Sequence, residues 1–257
     1  MLVATLNLNG IRAAQRKGFF EWLAEVKPDI ICLQELKAQL DQLQAPTFWP
    51  ANYHCHYQPA EKKGYSGVAV FSRKQPDRII ESMDWSVADS EGRYIEAVFG
   101  DLHIASIYLP SGTSGAERQA IKYQCMDKLR NRMQQQLASG KDYILCADWN
   151  IAHTKKDIRN WQSNQKNSGF LPEERAWLDQ LYDEDGWIDA FRVVNQEPYQ
   201  YSWWSNRGRS WTNNVGWRID YQLITLSLRD RIQHVEIYKQ QRFSDHAPVL
   251  IEYDYAF

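Results

Sequence analysis

The sequence has little of what would take it out of the ordinary globular class. Charge of one sign is lacking: 30 Lys and Arg stand against 32 Asp and Glu, a formal net charge of −2. A chain so near neutrality cannot grip a polyanion over its whole surface, so a nucleic-acid partner must meet a local basic face. Long apolar runs are also missing. None approaches the ~18 residues that suggest a membrane-spanning helix, so no membrane partner is expected. The opening MLVATLNLNG has neither a basic leader nor a long apolar stretch and does not read as a secretory signal. Cysteine is scarce, four in 257 residues. Cys32, Cys55, Cys125 and Cys146 form no CxxC pair, which excludes a structural zinc site, and Cys32 and Cys146 sit in apolar runs as small hydrophobes. A reducing cytoplasm is the expected compartment. There is no Walker sequence, no GxGxxG after a strand and no GxSxG, so phosphate-loop, dinucleotide and serine-nucleophile chemistry lose their usual signatures. No Ser/Gly-rich linker and no exact repeat divides residues 1–257, which are expected to form one domain of two similar halves.

What is present is ordinary in bulk and unusual in detail. A composition 44% hydrophobic and 24% charged excludes wholesale disorder. The 11 Trp and 14 Tyr exceed what a core requires and suggest aromatic surfaces. Strand signals recur at 3–9, 29–35, 66–72, 94–99, 102–109, 143–150, 218–225, 234–239 and 248–255, several continuously apolar, as strands covered on both faces are. Helices are predicted over 17–26, stopping before Pro28; over 116–138, with Ile121, Cys125, Leu129, Met133 and Leu137 at helical spacing; and over 172–182, with proline and two acids in its first turn. Strands interspersed with helices make an α/β chain.

The informative residues are polar ones that interrupt apolar runs: Asn7, Glu35, Tyr108, Asp148 with Asn150, Asp220, and Asp245 with His246. Open α/β sheets place ligands at such strand ends. Singly, each has a structural explanation as a turn cap, a helix cap or a satisfied core histidine. Four carboxylates (Glu35, Asp148, Asp220, Asp245) at comparable strand ends need a common one, because a buried carboxylate is costly unless paired, hydrogen-bonded or cation-bound. Oxygen donors of this kind suit a hard divalent cation such as Mg²⁺, and His with Asp suits proton management near a phosphate.

Seven blocks in register carry a resemblance: LNLNGIRA (6–13), CLQELK (32–37), IYLPSG (107–112), ADWNIAH (147–153), NQKNSGF (164–170), NVGWRIDYQL (214–223) and FSDHAPV (243–249). Together they resemble the exonuclease III family of apurinic/apyrimidinic (AP) endonucleases, in a bacterial form, over essentially the whole chain. The resemblance implies a four-layer α/β/β/α sandwich: two packed mixed β-sheets with outer helices. It implies Mg²⁺-dependent (or Mn²⁺-dependent) cleavage of DNA 5′ to abasic sites, with 3′-5′ exonuclease and 3′-phosphatase activities in the same family. The implied substrate is double-stranded DNA with abasic sites or blocked 3′ ends, met by a monomer. By matching position, Glu35 is the principal metal ligand with Asn7 and Asp245, and Asp148 and Asn150 border the same metal site. Asp148 takes the proton from water, Asn150 orients it, Tyr108 assists at the phosphate, and His246 polarises a phosphate oxygen, held by Asp220.

For DNA the resemblance implies contacts from Arg12, Asn164, Asn167 and Arg207, and an apolar pocket of Trp203, Trp217 and Ile219 for a flipped-out abasic sugar. Basic stretches at 10–20, 153–170 and 199–219 adjoin these blocks and predict a directional DNA face, with Lys155, Lys156, Arg159, Lys166 and Arg218 among its cations. Of Trp203 and Trp204, one is expected to be core. The pattern departs from the family at Ala147, where Gly is common, at Ser111, where many members have Asn, and at Arg207, where some relatives carry an apolar side chain. Two other readings share the fold: an RNA-associated regulator of the catabolite-repression control kind, with RNA or an RNA-binding protein as partner, and a phosphatase of the same superfamily. The complete acid set argues against a chain freed from catalysis.

Overall fold

A computed structural model describes residues 1–256. The chain opens one sheet with β1 (Leu2–Asn7), β2 (Ile30–Gln34), β3 (His54–Gln58) and β4 (Val68–Ser72). It then builds a second with β5 (Arg78–Ile80), β6 (Tyr94–Phe99), β7 (Leu102–Tyr108), β8 (Asp142–Asp148) and β9 (Ile188–Asp189). A two-stranded ribbon of β10 (Trp203–Trp204) and β11 (Gly216–Trp217) precedes β12 (Asp220–Ile224), which returns to the second sheet. The last strands, β13 (Ile232–Ile237) and β14 (Val249–Tyr253), close the first. The spatial orders are β13-β14-β1-β2-β4-β3 and β5-β6-β7-β8-β12-β9.

Each sheet holds one parallel pair, β1 with β2 and β7 with β8, among antiparallel neighbours. A parallel pair brings two carboxyl ends to one edge, so the two halves deliver their polar strand ends side by side. Alternation along the strands makes the layers. Val3, Ile30, Cys32, Val68 and Val70 face Ile95, Ile104, Ile144, Cys146 and Ile224 between the sheets. Ala4, Leu6, Ile31 and Leu33 point outward under Phe19, Trp22 and Leu23 of the helix Phe19–Val26. On the other side, Cys125, Leu129 and Met133 of the helix Ala116–Ala138 cover Ala105, Ile107, Leu145 and Ala147. Helix, sheet, sheet and helix are the four layers expected. Among the described residues no helix is long and apolar enough to cross a membrane, and the four cysteines are free.

Some boundaries differ from those predicted. The strand signals at 3–9 and 143–150 overrun: the strands stop at Asn7 and Asp148, because the chain turns through left-handed Asn9 (φ 45°) and Asn150 (φ 51°). The helix predicted over 17–26 begins at Phe19, after Gly18 at φ 86°. That predicted over 172–182 is regular to Asp179 and then widens through Gln180–Asp185. Edge strand β3, HCHYQ, carries no apolar run to announce it. Ile121 does not lead the buried stripe of its helix; the fully buried side chain there is Lys122.

Candidate active site

Strand ends supply the site. Asn7 ends β1, Tyr108 ends β7 and Asp148 ends β8, while Asp220 begins β12 directly opposite Asp148. Glu35 follows β2 at φ 52°, and Asn9, Lys37 and Asn150 share its left-handed backbone. Such residues cost about 1–3 kcal/mol each and persist only where surroundings fix them. Here they are fixed by Gly10 N–H donating to the Glu35 carbonyl (2.8 Å), Lys37 N–H to Ser66 (2.9 Å) and Asn150 N–H to Asp148 Oδ1 (2.9 Å). The Asp245-His246 loop is stitched to the ribbon: Trp204 N–H donates to the Asp245 carbonyl (3.0 Å) and Ala247 N–H to Ser202 (2.7 Å).

The electrostatics separate the acids. Asp148 is 1% exposed. Burial pushes its carboxyl up to about 7; Asp220 acts the same way, while His246 and the Asn7 amide at 2.8 Å oppose it. Burial alone would lower His246, but the Asp220 and Asp148 carboxylates outweigh it and raise the imidazole to about 10. His246 Nδ1 lies 2.9 Å from Asp220 Oδ2, which also accepts from Ser202 Oγ (2.6 Å), and Nε2 lies 3.9 Å from Asp148 Oδ2. Burial pushes Asp245 up too, yet His246 and donors from Asn9 (2.9 Å), Trp203 (3.1 Å) and Ser244 (3.1 Å) hold it below its usual value. Tyr108 donates to Glu35 Oε1 at 2.7 Å. Its own burial, with Glu35 and Asp148 nearby, keeps the phenol protonated far above neutral pH.

Two groups of residues could hold a cation. Asp148, Asp220 and His246 bring ligand atoms within 4.8 Å of one another, but Nδ1 of the imidazole is committed to Asp220, and an imidazolium repels a cation. Glu35, Asp245 and Asn7 instead line the cleft with hard oxygen, although Asn7 Oδ1 also accepts from Asn9 N–H (2.8 Å) and the Asp245 oxygens from Asn9, Ser244 and Trp203. Among the described residues Glu35 Oε2 accepts no hydrogen bond, while Oε1 faces Tyr108 and the Lys37 ammonium at 3.3 Å. This donor set fits a divalent metal; the first does not.

The cleft is a cavity of about 740 Å³. It brings together Asn7, Glu35, Tyr108, Asp148, Asn150, Asp245 and His246 with Asn167, Arg207, Trp203, Trp217 and Ile219. Trp203 and Trp217 pair across the ribbon and meet edge to face, 6.0 Å between centroids, with Ile219 beneath them. Trp204 is the core member of its pair, 1% exposed between the sheets. Asp220 does not line the cleft; it stands behind His246. Asn164 also lies off it, accepting from the Asn167 amide at 2.8 Å, and Arg12 is exposed and does not line it. One expected cation changes role. Arg218, in the short link between β11 and β12, is 1% exposed and paired with Asp157 (2.7 Å) and Asp189 (2.7 Å), away from the cleft that Trp217 and Ile219 line, so it belongs to no DNA face. Lys155 and Lys156 line a separate cavity with it, whereas Lys166 lines the cleft.

Sequence reasoning gave no role to Asn9, Lys37, Ser202 or Arg93. Asn9, two residues from Asn7 in one block, was within reach: its amide donates to Asp245 and its oxygen accepts from Lys37 Nζ at 2.6 Å. Arg93 carried no local signal. It is 2% exposed, lies 4.8 Å from the centre of the Tyr108 ring and donates to the Tyr108 carbonyl at 2.9 Å.

An acid-and-imidazole floor beneath an aromatic wall, at the edge of two packed sheets, defines a phosphoesterase class of site. The chain belongs to the Endonuclease/Exonuclease/phosphatase family, whose profile matches residues 4–246. It is 38% identical over 251 residues to the exodeoxyribonuclease of Bacillus subtilis (strain 168), which covers 97% of this chain and 98% of that protein. To the DNA repair nuclease APEX1 of Danio rerio it is 33% identical, over 98% of this chain and 81% of that one. Among solved structures, an AP endonuclease from Archaeoglobus fulgidus superposes with a TM-score of 0.90 at 25% identity, covering 99% and 100% of the two chains. The 3′ phosphatase NExo from Neisseria, bound to a product DNA hairpin, gives 0.90 at 26% identity with the same coverage.

Proposed function

We propose that this protein is a Mg²⁺-dependent (or Mn²⁺-dependent) DNA repair nuclease that hydrolyses the phosphodiester 5′ to an abasic site and also trims blocked 3′ ends. One observation carries the reading. A buried carboxylate poised near neutrality faces an imidazolium at 3.9 Å, beside free carboxylate oxygen and an aromatic wall. Double-stranded DNA with a lesion is the substrate, approached by Arg207, Asn167, Asn164 and Arg12. The one-domain chain 1–257 acts as a monomer in the bacterial cytoplasm, a compartment consistent with its free cysteines.

In this mechanism Glu35, Asn7 and Asp245 hold the metal, with Asp148 and Asn150 at its border. The bound cation supplies neutralisation of charge at the phosphate. Asp148, whose Oδ2 accepts from the Asn7 amide and whose Oδ1 accepts from Asn150 N–H, takes the proton of the attacking water. The phosphorus–O3′ bond breaks as the water oxygen bonds to phosphorus, and the departing 3′ oxygen takes a proton from solvent. His246 offers its charged Nε2–H to a phosphate oxygen while Asp220 holds Nδ1. Tyr108 stays protonated and donates, first to Glu35 and then toward the phosphate. Trp203, Trp217 and Ile219 enclose a sugar without a base, so that damage is recognised by what is missing.

The test is incubation with an abasic-site duplex. Incision leaving a 3′-hydroxyl with Mg²⁺, abolished by EDTA and restored by added Mg²⁺ or Mn²⁺, is the expected result. Full activity in excess EDTA, or a 3′-unsaturated sugar from β-elimination, would overturn it. The sugar pocket has its own test. Trp217→Ala should lower the ratio of abasic-site incision to 3′-phosphate removal by roughly tenfold, since a wall is lost while the metal centre stays. A purely core Trp would cost about 3–5 kcal/mol and depress both activities together. An unchanged ratio with a large fall in melting temperature would therefore remove Trp217 from the pocket.

A further inference from the structure

Behind the cleft lies a charge pair to which the mechanism above gives no part. Lys122 of the helix Ala116–Ala138 and Glu174 of the helix Pro172–Asp179 meet with both side chains at 0% exposure, Nζ 2.5 Å from Oε1. A buried ion pair is a weak source of stability, because desolvation offsets the attraction. What else each group holds therefore decides its role.

Lys122 Nζ also donates to the Asn150 carbonyl at 2.9 Å. That carbonyl belongs to the left-handed residue whose amide and side chain bracket Asp148. Glu174 grips the opposite side of the cleft: Oε2 accepts from Gly169 N–H (2.6 Å) and Leu171 N–H (3.1 Å). Oε1 takes Ser168 Oγ (3.3 Å), which in turn accepts from Gly112 N–H (3.1 Å). Gly169, at φ 94°, is where the Trp217 ring rests. A Cβ there would stand 2.8 Å from Trp217 Cζ3 and 3.1 Å from the Asn150 carbonyl oxygen. The turn carrying Asn150 and the turn carrying Gly169 thus touch each other and share one pair of opposite charges.

We propose that Lys122 and Glu174 are positioning residues, a buried clamp that fixes the proton-accepting side of the cleft relative to its sugar-accepting wall. The clamp touches neither substrate nor metal. It acts through Asn150 on one side and through Gly169 and Trp217 on the other, and it rests on the nuclease reading above.

Removing one partner alone would strand a charge in the interior, so the test removes both, which often leaves the fold intact. In Lys122→Met/Glu174→Leu the melting temperature should fall, because the Gly169 and Leu171 N–H groups lose their acceptor, with the chain still folded at the assay temperature. The kcat for abasic-site incision should fall by about 10²-fold, the scale of a small misplacement far from the chemistry. The Gly169 amide, followed by hydrogen exchange, should exchange about tenfold faster or more. In Lys122→Met/Glu174→Gln an acceptor for Gly169 and Leu171 remains, so protection of that amide should recover. kcat should still fall there with KM held, because the Asn150 tether is gone. Incision within about threefold of the parent in a folded Leu variant, with unchanged Gly169 exchange, would overturn the clamp. If the Leu variant does not fold, full activity in the Gln variant would overturn it just as well. A parent that leaves abasic sites intact would sink the nuclease reading instead, and the exchange comparison, which needs no catalysis, would still judge the clamp.

Discussion

Asp148→Asn is expected to slow abasic-site incision by about 10²–10⁴-fold, the usual contribution of a general base, with little change in DNA affinity. The substitution keeps shape and length and removes the ability to take a proton. The carboxylate is buried at the floor of the cleft, and its acidic neighbour Asp220, which could otherwise replace it, is turned toward His246 and Ser202. pH gives a second readout. A base must be ionised to act, so the parent's rate should rise with pH through an acid limb at or below about 7, the value to which burial pushes Asp148. A cation beside the carboxylate shifts that limb toward lower pH by favouring the charged form. In Asp148→Asn the limb should vanish. A rate loss under about tenfold with unchanged affinity, or an acid limb that persists, would move the base to another residue.

The fold was legible because the buried strands speak twice, once for each face. Runs such as IICL and YILCA are apolar throughout since both surfaces are covered, Ile30 and Cys32 between the sheets, Ile31 and Leu33 under a helix. Edge strand β3 faces partly outward and reads as HCHYQ, so periodicity had nothing to report. In the site, the residues that were legible are polar interruptions at ends of those same runs. What escaped depends on tertiary accident. Arg93 is remote from every motif until β6 and β7 pair and set it under Tyr108. Lys122 and Glu174 are 52 residues apart on helices whose outward patterns resemble any solvated surface. Arg218 misled for the opposite reason. Flanked by two cleft residues and rich in positive neighbours, it looks like a DNA contact, yet the link between β11 and β12 sends it inward to Asp157 and Asp189.

The Asp220–His246 pair leads to an outcome that single substitutions cannot reveal. His246→Ala removes the imidazolium and should lower incision by about 10²–10³-fold, the scale of one lost donor to a developing oxyanion. Asp220→Ala leaves the ring in place but frees Nδ1, strips Ser202 Oγ of its acceptor and removes the foremost of the carboxylates that raise the imidazole, with Asp148 and Asp245 remaining. The ring, no longer held at Nδ1 and less strongly charged, then meets the phosphate as a weaker donor, so this variant should approach the His246→Ala rate although Asp220 itself never reaches the cleft. If the two act as one unit, the double variant should be barely slower than the worse single one, because the second substitution removes a support whose load is already gone. Multiplying losses would mean that Asp220 serves catalysis by a separate route, perpendicular to His246, and would break the pair. The melting temperatures discriminate a trivial cause: both side chains are buried, so a shared loss of folding would lower every activity, 3′-phosphate removal and incision alike, in step with stability. A non-additive rate loss in variants that remain folded at the assay temperature has no such explanation and makes Asp220 and His246 one working unit.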